Sequence, residues 1–212
     1  IHFLTSLGSA YAFYLRYCNN CSVIDHNFVG YSTGDGTLNP RNSQGINVTN
    51  YTSIGATYYG LYLASAHNGT YKDINASTSS YSYGTSLSLS NDNTFEDLYS
   101  SSTTYPIYSS TSGYNKFIDS SARGAPTYSF RFAGTSAVGW VELLNFSRDN
   151  KRFLWSSGSN EVIHKWYLDA MTNLSDGSNL EGANISVYNV SGDWILENLT
   201  NSSGWIPRKN LT

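Results

Sequence analysis

The chain is 212 residues long, 40% hydrophobic and only 13% charged, with 18 Tyr, 34 Ser and 18 Thr. That mixture is too apolar and too poor in charge for a disordered chain, and the length suffices for a core without metal or disulfide staples. A net charge of −3, with no basic cluster longer than Lys151-Arg152, leaves no footprint for nucleic acid or an anionic membrane, and no apolar run reaches the roughly 18 residues of a membrane span.

Self-similarity organises the chain. Markers at Tyr11, Asp35, Tyr59, Tyr83, Tyr105, Tyr128 and Lys151 are separated by 24, 24, 24, 22, 23 and 23 residues. Fourteen residues after each lies Asp25, Thr49, Asp73, Asp97, Asp119, Glu142 or Lys165. This constant offset confines insertions to the stretch between a second marker and the next first marker. Positions not used to choose the register test it: Phe13, Thr37, Leu61, Thr85, Ile107, Phe130 and Phe153 two after the first marker, and Val23, Asn47, Tyr71, Phe95, Phe117, Trp140 and Ile163 two before the second. Eleven of these 14 are apolar, where composition predicts about six.

Around the markers the pattern alternates, as in Gly60-Leu61-Tyr62-Leu63-Ala64, Thr85-Ser86-Leu87-Ser88-Leu89 and Tyr128-Ser129-Phe130-Arg131-Phe132. Period two means short strands, and the Gly, Asn, Asp and Ser between them mean turns. A unit of 22 to 24 residues with about three short strands cannot bury its apolar face alone, whereas stacked copies bury a continuous one. The expected fold is all-β: a parallel β-helix of about seven coils over residues 1–165, with Tyr71, Phe95 and Phe117 stacked inward and Ser88 facing out.

In chain order, Ile1-His2-Phe3 matches the second half of a coil, and from this the chain is expected to be a segment of a larger protein. Cys18-Asn-Asn-Cys21 has no second pair to complete a zinc tetrad and no βαβ context; in an oxidising exterior it is expected to close a local disulfide, with two free thiols as the alternative. Tyr59, Tyr83, Tyr105 and Tyr128 share one angular position, either as a rigidifying ladder or as an aromatic strip for sugars. Asp73, Asp97 and Asp119 share another, extended by Asp25 and Glu142, and neighbouring carboxylates about 5 Å apart need relief. Splaying into water, a raised pKa, Lys72 and Lys116, or a bridging hard cation such as Ca²⁺ would provide it. Glu96-Asp97 is the only adjacent acidic pair in the β-helix part, and adjacent strand residues face opposite ways, so it is no hydrolase pair. His2, His26, His67 and His164 are scattered, and no phosphate loop or nucleophile elbow is present.

Segments such as Tyr59-Gly-Leu-Tyr-Leu-Ala-Ser, Asn68-Gly-Thr-Tyr-Lys-Asp-Ile, Asn93-Thr-Phe-Glu-Asp-Leu and Asn115-Lys-Phe-Ile-Asp-Ser resemble the right-handed parallel β-helix repeats of pectin-lyase-like and periplasmic copper-protein-like (NosD-type) domains, many of them in archaeal and bacterial surface proteins. Val23-Ile24-Asp25-His26 resembles a short pectate lyase motif, but in a β-helix the same string is more often a strand followed by a turn. The scaffold carries lyases, hydrolases, adhesins and structural proteins alike, so the resemblance speaks for fold and not for function.

From Trp166 the texture changes to alternating segments separated by Asp176-Gly177-Ser178 and by Gly turns, expected to form part of an antiparallel β-sandwich over 166–212. It resembles immunoglobulin-like, carboxypeptidase-regulatory-like modules of archaeal envelope proteins.

Glycosylation sequons begin at Asn20, Asn47, Asn50, Asn68, Asn75, Asn145, Asn173, Asn184, Asn189, Asn198, Asn201 and Asn210, twelve in all. With 22 Asn and about a quarter of residues Ser or Thr, chance gives about five. Asn68, Asn75, Asn184 and Asn198 are the best sited, beside turns or alternating segments. Together these features point to a non-enzymatic, glycosylated extracellular or cell-surface protein: a sheath, surface-layer or filament component, or an adhesin. Its expected partners are further copies, other surface proteins, covalent N-glycans and polysaccharide, and no cofactor is expected apart from the Ca²⁺ considered above. The alternative is a carbohydrate-active β-helix, a polysaccharide lyase or glycan-binding module.

Overall fold

The structure, a computed structural model, describes residues 13–29, 38–78, 83–125, 127–134, 139–149, 152–156 and 161–211. Tyr11, Asp35, Thr37, Lys151, His2 and the Ile1-His2-Phe3 half-coil lie outside the described residues. The chain divides into two compact units, Ile1–His164 and Lys165–Thr212.

In chain order the strands are β1 (Phe13–Arg16), β2 (Ser22–Val29), β3 (Leu38–Gln44), β4 (Asn47–Ala56), β5 (Tyr59–His67), β6 (Thr70–Thr78), β7 (Tyr83–Ser88), β8 (Thr94–Ser101), β9 (Tyr105–Ser110) and β10 (Asn115–Ile118). They continue as β11 (Ser121–Arg123), β12 (Phe130–Ala133), β13 (Trp140–Leu144), β14 (Ser147–Arg148), β15 (Phe153–Trp155), β16 (Glu161–Leu168), β17 (Asn184–Tyr188), β18 (Trp194–Leu199) and β19 (Lys209–Leu211). Among the described residues there is no helix. Strands of successive coils pair in parallel along two stacks, β1-β3-β5-β7-β9-β12-β15 and β2-β4-β6-β8-β10-β13-β16. The result is a parallel β-solenoid of about six turns. The expected seventh coil is not completed: its second marker, Lys165, begins the second unit, where Trp166–Leu168 pair antiparallel with β19.

The register refines the repeat. One interior column runs Phe13, Leu38, Leu61, Thr85, Ile107, Phe130, Phe153, and another Val23, Val48, Tyr71, Phe95, Phe117, Leu143. Leu38 and Val48 take the places expected for Thr37 and Asn47, a slip of one residue. In the sixth coil Leu143 takes the place of Trp140 and Glu142 pairs with Lys116, so Glu142 does not belong to the acidic column. Ala133 is in register with Ser110 and Val141 with Asn115. Between them the sixth coil holds seven residues where the fifth holds four, so an insertion lies inside the interval that was constant in earlier coils.

Burial follows the columns. Tyr71, Phe95 and Phe117 are fully buried and stacked, with ring centroids 4.9 and 4.7 Å apart, and Ser88 is half-buried outside them. Polar side chains inside the coil bond to the coil itself. Ser43, Ser90 and Ser112 each donate to the carbonyl two residues back and accept an N–H from the preceding coil, from Cys18, Ala66 and Ser90 respectively. Buried Asn93 and Asn115 form a second such column, with Asn93 Nδ2 donating to Asn115 Oδ1 at 3.1 Å. These bonds satisfy groups that would otherwise cost about 1–3 kcal/mol each to bury.

Three corners per coil place residues in left-handed backbone. One column is Asp25, Asn50, Asp73, Asp97, Asp119 and Asn145, with φ between 49° and 53°. A second is Tyr17, Asn42, Ser65, Leu89 and Thr111, and a third is Asn20, Gly45, Asn68, Asp92 and Tyr114. Asn and Asp tolerate this conformation better than other side-chain-bearing residues, which explains their recurrence at fixed phase.

In the second unit β17 and β18 form an antiparallel hairpin and β16 pairs with β19. Its loops repeat one device: Asn189 and Asn201 each accept two backbone N–H bonds at Oδ1, from Ser191 and Asp193 and from Ser203 and Trp205.

Candidate functional site

Three surfaces of the solenoid carry chemistry, and each follows from a column. On the first, the left-handed corner lines up carboxylates and amides along the stack. Asn50 Nδ2 donates to Asp25 Oδ1 at 2.7 Å, and Asn145 Nδ2 to Asp119 Oδ1 at 2.6 Å. Asp97 lies between Asp73 and Asp119, and its pKa is raised, first by partial burial and then by the charges of Asp73, Asp119 and Glu96 against the opposing pull of Lys72. Lys72 pairs with Glu96 at 3.5 Å across exposed surface, and Lys116 lies over the Trp140 ring at 5.7 Å. Asp73, Asp97 and Asp119 are strung along the stack, and among the described residues no group of three or more His, Cys, Asp or Glu converges as a metal cage. Asp25 of the Val23-Ile24-Asp25-His26 string is a corner residue bonded to Asn50, and His26 packs between Phe13 and Tyr51 at 5.6 and 5.8 Å.

On the second surface the tyrosines form a ladder: Tyr59 to Tyr83 is 5.6 Å, Tyr83 to Tyr105 5.9 Å and Tyr105 to Tyr128 6.5 Å, the first two pairs near parallel. Tyr62 stacks on Tyr59 at 4.7 Å, Tyr108 stacks on Tyr83 at 4.4 Å, and Arg131 caps Tyr105 and Tyr108 at 5.2 and 5.4 Å. Burial raises the Tyr83 pKa against the lowering effect of Arg131. Rings that cover one another's faces leave edges and hydroxyls at the surface, which favours the ladder reading over a sugar-stacking strip.

The third surface was not singled out from the sequence. Where the third corner column passes from Asn20 through Gly45 to Asn68, a depression of about 460 Å³ opens, lined by Asn19, Asn20, Gln44, Gly45 and Asn68. A second, of about 290 Å³, shares Asn19 and Gln44 and adds Asn42, Ser43, Ser65 and His67. Asn20 packs directly on Gly45, which has φ +64° and where a Cβ would collide with Asn20 Oδ1. No charged side chain lines either depression.

Cys18 and Cys21 are joined in a disulfide with Cα atoms 6.0 Å apart, closing the loop that carries Asn19 and Asn20. His67 Nδ1 accepts the Asn91 N–H at 3.2 Å, and His164 lies 3.1 Å from Arg148, its pKa lowered first by burial and then by that charge. Ten of the twelve sequon asparagines are exposed, and Asn75 and Asn198 are half-buried. No protein-family model matches the chain, and no curated protein matches it.

Proposed function

We propose that the chain is a non-enzymatic, glycosylated structural or adhesive element of a cell surface, part of a sheath, surface layer or filament. On this reading the solenoid belongs with the pectin-lyase-like and NosD-type β-helices of archaeal-type envelope proteins, and residues 166–212 begin an immunoglobulin-like module. Its partners are further copies, neighbouring surface proteins and covalent N-glycans.

The observation that carries the reading is the sorting of asparagines by burial. None of the twelve sequon asparagines is buried, whereas the fully buried Asn39, Asn93 and Asn115 all stand outside sequons. A sequon has to be surface-accessible to carry a glycan. Hydrogen bonds that bind coil to coil also occupy most interior polar groups, which suits a rod better than a reaction centre. Intact mass of native material before and after chemical deglycosylation tests the reading; an unchanged mass would sink it.

The alternative, a carbohydrate-active or glycan-binding β-helix, is favoured by the amide-lined depressions alone. Incubation with acidic and neutral polysaccharides, followed for unsaturated products and new reducing ends, separates the two. Turnover abolished by substituting Asp25, Asp97 or Asp119 would overturn the structural reading.

A further inference from the structure

We infer that the paired depressions at the Asn20, Gly45, Asn68 corner form a binding site for neutral sugar residues, which rests on the glycan-linked reading above. Five side-chain amides, those of Asn19, Asn20, Asn42, Gln44 and Asn68, line the two depressions, and none has a hydrogen-bond partner among the described residues. Six other asparagines, Asn93, Asn115, Asn50, Asn145, Asn184 and Asn189, do donate through their amides. The five unengaged amides of the lining are gathered on this one corner.

Their chemistry selects the ligand. An amide offers two N–H donors and a carbonyl acceptor, matching hydroxyl groups that both donate and accept. With no charged group in the lining, an anionic or cationic ligand has no counter-charge, and with no aromatic ring there a nucleobase has no platform to stack on. His67 adds a donor, because Nδ1 accepts the Asn91 N–H and so leaves the ring hydrogen on Nε2. The site is also pre-organised: the Cys18–Cys21 disulfide closes the loop bearing Asn19 and Asn20, and the Asn20 side chain is seated against Gly45.

The sugar has two possible sources with one chemistry. Asn20 and Asn68, at the rim, are both sequon asparagines, so a glycan attached at either can fold back into the depression; a free neutral oligosaccharide can also enter it.

The test uses the full chain, isotope-labelled, from a non-glycosylating and a glycosylating host, with side-chain amide NMR signals of Asn19, Asn42 and Gln44 as the readout. Neutral hexasaccharides of glucose, mannose and galactose are titrated into the unmodified chain. A saturable shift of these signals, with Kd on the order of millimolar, establishes a free-sugar site. Signals already displaced in the glycosylated chain, and returned by Asn20→Gln or Asn68→Gln, establish an attached glycan as the occupant. Gly45→Asn suits this backbone, as its column neighbours Asn20 and Asn68 show, but places a side chain where Asn20 Oδ1 lies; by displacing that lining amide it is expected to weaken binding about tenfold. Gln44→Ala is a second variant away from the backbone constraint. Silent amide signals in both arms, or full affinity in both variants, overturn the inference. Native material without glycans would defeat the reading above while leaving the free-sugar arm intact, whereas glycosylated material with a silent depression would defeat this inference alone.

Discussion

The Asn145 amide lies one coil beyond the Asp119 carboxylate and donates to it at 2.6 Å, as Asn50 does to Asp25 at 2.7 Å near the other end of the column. Two carboxylates are thereby relieved by neutral donors. Asp97, with Asp73 on one side and Asp119 on the other, has no such neighbour in its column.

Asp97→Asn is therefore expected to stabilise the chain at pH 7. The folded state raises the Asp97 pKa above its ordinary value of 3.8, so it favours the protonated form. That contribution is complete below the ordinary value and is lost as pH rises through the raised one. The variant should gain about 0.5 kcal/mol at pH 7, a small figure because the site is well solvated, and nothing at pH 3. Thermal melts at both pH values check this. A midpoint that rises with millimolar Ca²⁺ in the parent but not in the variant would place a cation at the column and replace this account.

Phe117 is fully buried in the aromatic stack, 4.7 Å from Phe95 and edge-on to Phe130 at 5.4 Å. Phe117→Ala should cost about 3–5 kcal/mol, while Ser88→Ala should cost under about 0.5 kcal/mol. Denaturant unfolding of both variants measures the contrast; the reverse order would exchange the inner and outer faces.

Tyr71 carries a buried hydroxyl without a hydrogen-bond partner, and the same burial drives its pKa far upward. Tyr71→Phe keeps the ring on Phe95 and removes the orphaned group. It should raise stability by about 1 kcal/mol, read as a higher urea midpoint at unchanged slope. A loss of stability would show that the hydroxyl has a partner.

Sequons should differ in occupancy. The amide nitrogens of Asn50 and Asn145 are committed to Asp25 and Asp119, whereas those of Asn68 and Asn201 are exposed and not used as donors among the described residues. Glycopeptide mapping of native material should find Asn68 and Asn201 modified more fully than Asn50 and Asn145. Equal occupancy at all four would mean that modification precedes folding of the corner.

The solenoid was legible because its signal is collective: alternation and recurring Tyr and Phe remain visible when single positions are misassigned. The sixth coil shows how misassignment happens. Trp140 is apolar and Glu142 is acidic, so both satisfied the expected pattern three residues early, and only backbone pairing exposes Leu143 and Asn145 as the true occupants. The recurring Asp were read as charges needing relief, when their first role, shared with Asn50 and Asn145, is to supply left-handed backbone at a corner. The amide cluster had no linear signature. Asn19, Gln44 and Asn68 lie about one coil apart in sequence and become neighbours only once the corner register is known.

The extra residues between Ala133 and Val141 leave the pairing intact on both flanks, Ala133 with Ser110 and Val141 with Asn115. One corner of this coil can therefore change length without disturbing the sheets it joins, although in the earlier coils the same corner is a two-residue span, as in Ser90-Asn91 between left-handed residues Leu89 and Asp92. For an engineer this makes the chain a display scaffold with a marked grafting point: a foreign peptide inserted after Gly134 should be carried on the outside of a stack that still closes beneath it.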